Sequence, residues 1–206
     1  MRDSDDDLIS RYLQGNMAAF ERLYERYAPR LLGFLIATGA GRDAAEDLAQ
    51  KTWLRAIESL ARYEPRDRFR PWLFKMAHHL WLDERRSVWE RKRLSLEEIG
   101  EKEEEETAVA GSGPEKGVSP FDQAAARQER ELVNQALDDL PEEMRRTVLL
   151  RVDADLTHRE IAEEMECPIG TVLWRMHEAQ RRLSERLGLG TQNRQAPARQ
   201  GEAKEK

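Results

Sequence analysis

The sequence predicts an all-α protein: two small helical domains joined by a flexible acidic linker. Three observations lead there. Apolar residues recur at helical spacing along the first ninety residues, as in Phe20, Leu23, Tyr24, Tyr27, Leu31, Phe34 and Leu35. The pattern fails between Ser95 and Phe121, where EEIGEKEEEETAVAGSGPEKGVSP is first acidic and then rich in Gly, Ser and Pro. It resumes afterwards and ends in THREIAEEMECPIGTVLWRMHEAQRR, Thr157 to Arg182, which reads as two short helices joined by a sharp turn. These limits divide the chain into a first domain at 1–94, a linker at 95–121, a second domain at 122–188 and a mobile tail at 189–206.

The composition agrees with small cores and much helical surface, since 39% of the residues are hydrophobic and 36% charged. A net charge of −6 excludes a uniformly positive coat, but the charge is unevenly placed. Arg62 to Arg93 holds ten Lys or Arg against five Asp or Glu, whereas Glu97 to Glu106 holds seven Glu and one Lys. Three of the five tryptophans, Trp72, Trp81 and Trp89, fall inside the basic stretch, an interleaving suited to single-stranded nucleic acid. One cysteine, Cys167, excludes an internal disulfide framework and fits a reducing compartment. No apolar run approaches the ~18 residues of a membrane span. The expectation is a cytoplasmic protein without membrane insertion.

In chain order, MRDSDDD is expected to fray as far as Leu8. A helix follows from Met17, and Pro29 is expected to kink or restart it. Thr38 to Gly41 ends it, with Asp43 and Glu46 read as the cap pair of the next helix. That helix, DAAEDLAQKTWLRAIESLARY, buries Ala45, Leu48, Ala49, Trp53, Ala56, Ile57 and Leu60. It leaves Asp47, Gln50, Lys51 and Arg55 on another face, which is either plainly solvated or a contact surface.

Pro65 and its charged neighbours then form a loop, and Pro71 suits the first turn of another helix. Leu73, Met76, Ala77 and Leu80 can face the core, leaving Trp72, Lys75, His79, Trp81, Arg85, Arg86 and Trp89 for other faces. Aromatic–base stacking contributes roughly 1 to 3 kcal/mol per base and unpairing a base costs a few kcal/mol. A loop pocket and a few stacks are therefore on the scale needed to hold an opened strand. Adjacent His78 and His79 point about 100° apart on a helix, with no Cys or third His nearby in sequence, so no metal or other cofactor is expected.

After the linker, Ala125, Leu132, Ala136, Leu137 and Leu140 mark the inner face of a helix. Pro141 begins another, whose Met144, Val148, Leu149 and Val152 pack beneath the helical pair. Thr157 and Glu160 have capping-box spacing. The last helix carries Val172, Met176, Ala179 and Leu183 on one side and Arg175, His177, Gln180, Arg181 and Arg182 on the other. On residues alone, this pair is either a DNA-reading helix-turn-helix or an α-hairpin within a bundle.

LPEEMRRTVLLRVDADLTHREIAEEMECPIGTVLWRMHEAQRRL, from Leu140, closely resembles the promoter-reading domain of bacterial extracytoplasmic-function sigma factors. Its LP, VLLR, L-T-x-x-EIAE, P-x-GTV and R-x-H-x-A elements stand at that family's spacing. EDLAQKTWLRA resembles the family's EDLVQETFLRA, the helix that grips a coiled coil of the polymerase's largest subunit. This implies contact through Asp47, Gln50 and Arg55, with Lys51 where the family has Glu. FRPWLFKMAHHLWLDERR resembles FRAWLFRIARNLALDALRR, the segment that melts the minus-ten element and captures a base. The resemblance makes Tyr63 to Arg70 the capture loop and assigns the minus-ten role to Tyr63, Arg66, Arg68, Phe69, Trp72, Lys75, His79, Trp81, Arg85 and Arg86.

Minus-thirty-five reading falls to Thr171, Leu173, Trp174, Arg175, His177, Glu178, Arg181 and Arg182. GTVLWRMHEAQRRL stands where the family has GTVKSRLHRARRRL, removing about three positive charges. With a salt slope of about 0.9 per phosphate contact, weaker free-standing affinity for DNA is expected. Glu178 could instead accept from a cytosine N4, while Leu173 or Trp174 could meet a thymine methyl or form an interface for an anti-sigma factor or activator. Glu166 stands where the family has a turn Gly, a strain of roughly 1 kcal/mol if its backbone is left-handed. The linker either simply tethers or threads the polymerase's RNA channel.

The resemblance implies a sigma factor that binds core RNA polymerase, including the flap of the second-largest subunit, finds promoter DNA and opens it, under an anti-sigma factor. A stand-alone helix-turn-helix regulator leaves the first domain unexplained. Catalysis is not expected, because no carboxylate, base and nucleophile fall into a recognisable arrangement around His78, His79 or Cys167.

Overall fold

A computed structural model describes residues 3–98 and 131–188. The regular elements there are all helical. They are α1 (Asp5–Leu13), α2 (Met17–Ala37), α3 (Arg42–Ser59), a 3-10 turn (Leu60–Arg62), α4 (Phe69–Glu98), α5 (described over 131–138), α6 (Glu142–Val152), α7 (His158–Glu164) and α8 (Ile169–Arg186). Among the described residues no helix is long and apolar enough to cross a membrane.

The helices α1 to α4 form one bundle, with α2 packed on α1, α3 and α4. Leu8, Leu23, Leu31, Phe34, Leu35, Leu73 and Phe74 are fully buried in it. Phe34 and Phe74 meet edge to face at 5.3 Å, a geometry that suits the ring quadrupoles. The second unit packs α6 and α7 on α8, burying Leu150, Leu156, Ile161, Val172 and Ala179.

The expected fraying before Leu8 is corrected. Ser4 accepts from the Asp7 amide at 3.1 Å, and Asp5, Asp6 and Asp7 occupy the first turn of α1, where the helix dipole favours negative charge. Leu8 and Ile9 are buried, and Asp5 accepts from Arg26 and Tyr27 of α2. Pro29 does not restart α2, which runs through it; buried Tyr27 and Leu31 on either side hold the helix while one backbone bond is lost. The cap of α3 is Gly41 rather than Asp43, which lies in the first turn.

Helix α4 continues to Glu98, past the boundary expected at 94. The rest of the linker, Ala125 and the tail at 189–206 lie outside the described residues. Leu132 and Val152, expected inside, are more than half exposed, so the inner faces of α5 and α6 are narrower than their apolar patterns suggest.

The Thr157 capping box forms in full: Glu160 N donates to Thr157 Oγ1 at 3.3 Å, and Thr157 N donates to Glu160 Oε2 at 2.8 Å. In the turn between α7 and α8, Glu166 has φ 49°, so of the two turns open to it, left-handed or helical, it takes the left-handed one.

Candidate nucleic-acid interface

One face of α3 is open along its length. Asp47, Gln50, Lys51, Leu54 and Arg55 are all exposed and recur at helical spacing. Leu54 is 62% exposed at the centre of this polar stripe and was not singled out from sequence. Its signal is positional: an isolated leucine in register with Asp47 and Gln50 instead of with Leu48 and Trp53.

The segment between the 3-10 turn and α4 is a pinned loop. Tyr63 donates to Asp6 Oδ1 at 3.0 Å, the Asp67 amide donates to Asp6 Oδ2 at 2.8 Å, and the Arg68 amide donates to the Tyr63 hydroxyl at 3.2 Å. Asp67 takes a left-handed backbone, φ 51°. Burial, then the hydrogen bond and charge of Asp6, push the Tyr63 hydroxyl up to about 12, so it stays a donor at neutral pH. Asp6 was missed in the sequence because it lies in an acidic run that resembles a solvated terminus. The Tyr63 ring lies 5.4 Å from Trp72, which is partly exposed beside it. Arg66 lies in the open, paired with Glu64 at 2.5 Å.

Phe69 departs from expectation. It is fully buried between Tyr27 and Tyr63, 5.5 and 5.9 Å away, so it braces the loop and offers no ring face to a base.

Along α4, the residues expected to read DNA divide into two groups. Arg86 is exposed, as is Trp89 at 68%. Arg68, Lys75, His79, Trp81 and Arg85 instead face the second unit. Arg68 pairs with Glu160 and Arg85 with Glu142, while His79 Nε2 and Lys75 Nζ lie 2.8 and 4.0 Å from Glu164. Arg70 donates to the carbonyls of Val152 and Asp153 at 2.5 and 2.7 Å, capping the C-terminus of α6 across the interface.

His78 is fully buried at this seam. Its Nδ1 lies 2.7 Å from Glu164 Oε1, and its Nε2 lies 3.3 Å from Arg146 Nη2. Its ring stacks on Trp81 at 5.8 Å. Trp81, placed on a free face by sequence, is only 3% exposed. The guanidinium groups of Arg85 and Arg146 sit 4.9 and 5.3 Å from its ring centre, and Arg146 belongs to the other unit. Among the described residues no three His, Cys, Asp or Glu are grouped to hold a metal ion.

On α8, Leu173 and Trp174 are 48% and 59% exposed and His177 is open, whereas Thr171 is half-buried. Arg175, expected on the outer face, turns inward to Glu143 at 3.3 Å. Glu178 binds both of its basic neighbours, Arg181 at 2.7 Å and Arg182 at 2.8 Å, and Arg181 also reaches Glu185 at 2.7 Å. Hydrogen bonds from Arg181 and Arg182 pull the Glu178 carboxyl down to about 2. The exposed arginines Arg181 and Arg182 are thus already engaged by carboxylates on the same helix.

Residues 23–91 match the family model for Sigma-70 region 2, and residues 130–183 match that for Sigma-70, region 4. The RNA polymerase sigma-H factor of Pseudomonas aeruginosa is 27% identical over 192 residues, covering 90% of this chain and 95% of the relative. The ECF RNA polymerase sigma factor RpoE of Cereibacter sphaeroides is 28% identical over 171 residues, covering 82% and 87%. Among solved structures, the sigma factor RpoE in complex with the anti-sigma factor NepR from Bartonella quintana has a similar fold, with a TM-score of 0.59 and 23% identity over 84% of this chain and 98% of that one.

Proposed function

Because the chain belongs to the extracytoplasmic-function sigma factors of RNA polymerase, we propose how its surfaces share the work of starting transcription. The protein is a transcription initiation factor that directs RNA polymerase to promoters. It is not an enzyme in the usual sense. The observation that carries this reading is the coincidence of the matched segments, region 2 at 23–91 and region 4 at 130–183, with the two helical units. A stand-alone regulator needs only the second.

The exposed stripe of α3, with Asp47, Gln50 and Arg55 around Leu54, is the polymerase-binding face. A central apolar side chain ringed by polar ones is the usual anatomy of an interface anchor. The loop from Tyr63 to Arg68 receives an unpaired base against Tyr63 and Trp72, and Arg66, Arg68, Lys75, Arg85 and Arg86 hold the strand's phosphates. Stacking at roughly 1 to 3 kcal/mol per base offsets the few kcal/mol needed to unpair one. Helix α8 enters the major groove at the minus-thirty-five element, reading through Leu173, Trp174, His177 and Glu178. The partners are core polymerase and promoter DNA, and an anti-sigma factor meets the apolar patch of Leu173 and Trp174. The chain acts in the cytoplasm, where its polymerase is.

Run-off transcription with purified core enzyme tests this reading. Promoter-specific initiation dependent on the chain is the expected result, and DNA binding without initiation would refute it.

A further inference from the structure

We propose that the projecting end of α4, around Trp89, is a DNA site of its own, which grips the closed duplex just upstream of the opened segment. This rests on the reading of α4 as the helix whose first turn borders the base-capture loop.

Trp53 and Trp81 are buried, and Trp72 is partly covered beside Tyr63, whereas Trp89 is 68% exposed. Its neighbours share that exposure. Every residue from Arg86 to Glu90 is exposed, Val88 among them, so a full turn of the helix is open on all sides. Helix α4 nevertheless continues to Glu98. Helices in proteins draw most of their stability from packing an apolar face, and this turn packs none. A ligand that covers Trp89 supplies the packing that the free chain lacks.

Charge identifies the ligand. From Arg85 to Arg93 the sequence holds five Lys or Arg against one Glu. Arg85 is drawn to Glu142, but Arg86 lies exposed three residues before Trp89, on the same side of the helix. A basic, projecting helix with an aromatic ring among its cations suits a polyanion whose grooves have apolar patches. Duplex DNA is one, with phosphates along its rims and thymine methyls inside.

Direction and length select the stretch of DNA. Trp72 and Trp89 stand 17 positions apart, about 25 Å along the helix or about seven base pairs of duplex. From α4 the chain leads on to the unit assigned to the minus-thirty-five element, so the far end of α4 points upstream. Opening extends the other way, toward the start site, and the DNA at Trp89 is still paired. Arg86 then holds the strand's phosphates where the captured strand re-enters the duplex.

The test uses holoenzyme assembled from core polymerase and the full chain, titrated with two promoter fragments that lack the minus-thirty-five element. One is the opened minus-ten strand alone; the other is a fork that adds about ten base pairs of duplex upstream of it. Trp89→Ala should weaken binding to the fork about tenfold, the effect of losing one covered aromatic side chain. Binding to the single strand and to core polymerase should not change. An equal loss on both fragments, or a matching loss of core affinity, overturns the proposal, because Trp89 then meets the opened strand or the polymerase. No loss on the fork overturns it too, and a gain there would make the acidic segment from Glu97 to Glu106 the occupant instead. If the wild-type holoenzyme binds neither fragment, the reading of α4 itself falls.

Discussion

Tyr63 donates its phenolic hydrogen to Asp6 Oδ1 at 3.0 Å, tying the first helix to the loop that precedes α4. The same carboxylate holds the Asp67 amide at 2.8 Å, at a residue whose φ of 51° needs external support. Removing this acceptor by Asp6→Ala should loosen the loop by about 1 to 2 kcal/mol, about 5- to 30-fold in the organised fraction. Open-complex formation should slow accordingly, while affinity for core polymerase stays unchanged. A loss of core affinity of the same size would mean that Asp6 only stabilises the bundle.

Leu54 gives a second test. It is 62% exposed on α3 between Asp47 and Arg55, where solvent alone gives no reason for a leucine. If polymerase covers it, Leu54→Ala should weaken core binding by about 1 to 2 kcal/mol, with Asp47→Ala and Gln50→Ala adding smaller losses. The thermal midpoint should hold, because most of the side chain is already in solvent in the free chain. Titration of labelled core enzyme measures the first and thermal unfolding the second.

These cases show what could be read from sequence. The capping box at Thr157 was legible because cap chemistry is local, confined to three or four residues; at Glu166 the family resemblance left a left-handed turn and a helical variant both open, and the structure takes the first. The amphipathic stripes of α2 and α3 were legible for the same reason. Helix α1 was not, because the partners that order Asp5 and Asp6 are Tyr27 and Tyr63, distant along the chain. Trp81 was placed on a free face, and Phe69 was put in the capture loop by resemblance, without sight of what covers them: Arg146 of the second unit over Trp81, and Tyr27 of α2 against Phe69. Helical period says which residues share a side, not what lies against that side.

Glu178 bears on DNA affinity. Its carboxylate occupies Arg181 and Arg182 at 2.7 and 2.8 Å. Glu178→Gln should release Arg182 for a phosphate and leave Arg181 held by Glu185 alone, which a phosphate can outcompete. If both make contact, the slope of log affinity against log salt should steepen by up to about 1.8. Binding to duplex DNA at several salt concentrations checks this. A shift in preferred sequence without a change in slope would instead identify Glu178 as a base reader.

Glu166 carries strain that glycine would relieve. With φ at 49°, Glu166→Gly should stabilise the second unit by up to about 0.6 kcal/mol, the relief of roughly 1 kcal/mol of left-handed strain less the added freedom of the unfolded chain. For a unit of this size that is a rise of up to about 5 °C in its thermal midpoint, measurable by calorimetry. A fall would show that the glutamate side chain contributes more than its backbone costs.

Acid should separate the two units. His78 Nε2 faces Arg146 Nη2 at 3.3 Å, so this nitrogen is the acceptor and Nδ1 carries the hydrogen that Glu164 receives. Burial pushes the His78 imidazole below its ordinary 6.5; the Glu164 hydrogen bond and charge oppose this, while Arg146 and His79 reinforce it. The open form therefore binds more protons than the closed one, and closure weakens as pH falls through 6.5, until His78 is protonated in both. Burial would raise Glu164, but the His78 hydrogen bond and the charges of His79, His78 and Lys75 hold it below 4.5. Its contribution is present above 4.5 and is lost as pH falls further, in the same direction. Energy transfer between dyes on the two units should thus decline from about pH 7 to about pH 5, and His78→Asn should flatten the upper part of that decline. An increase in transfer on acidification would overturn the assignment of His78 and Glu164 as the groups that hold the seam closed.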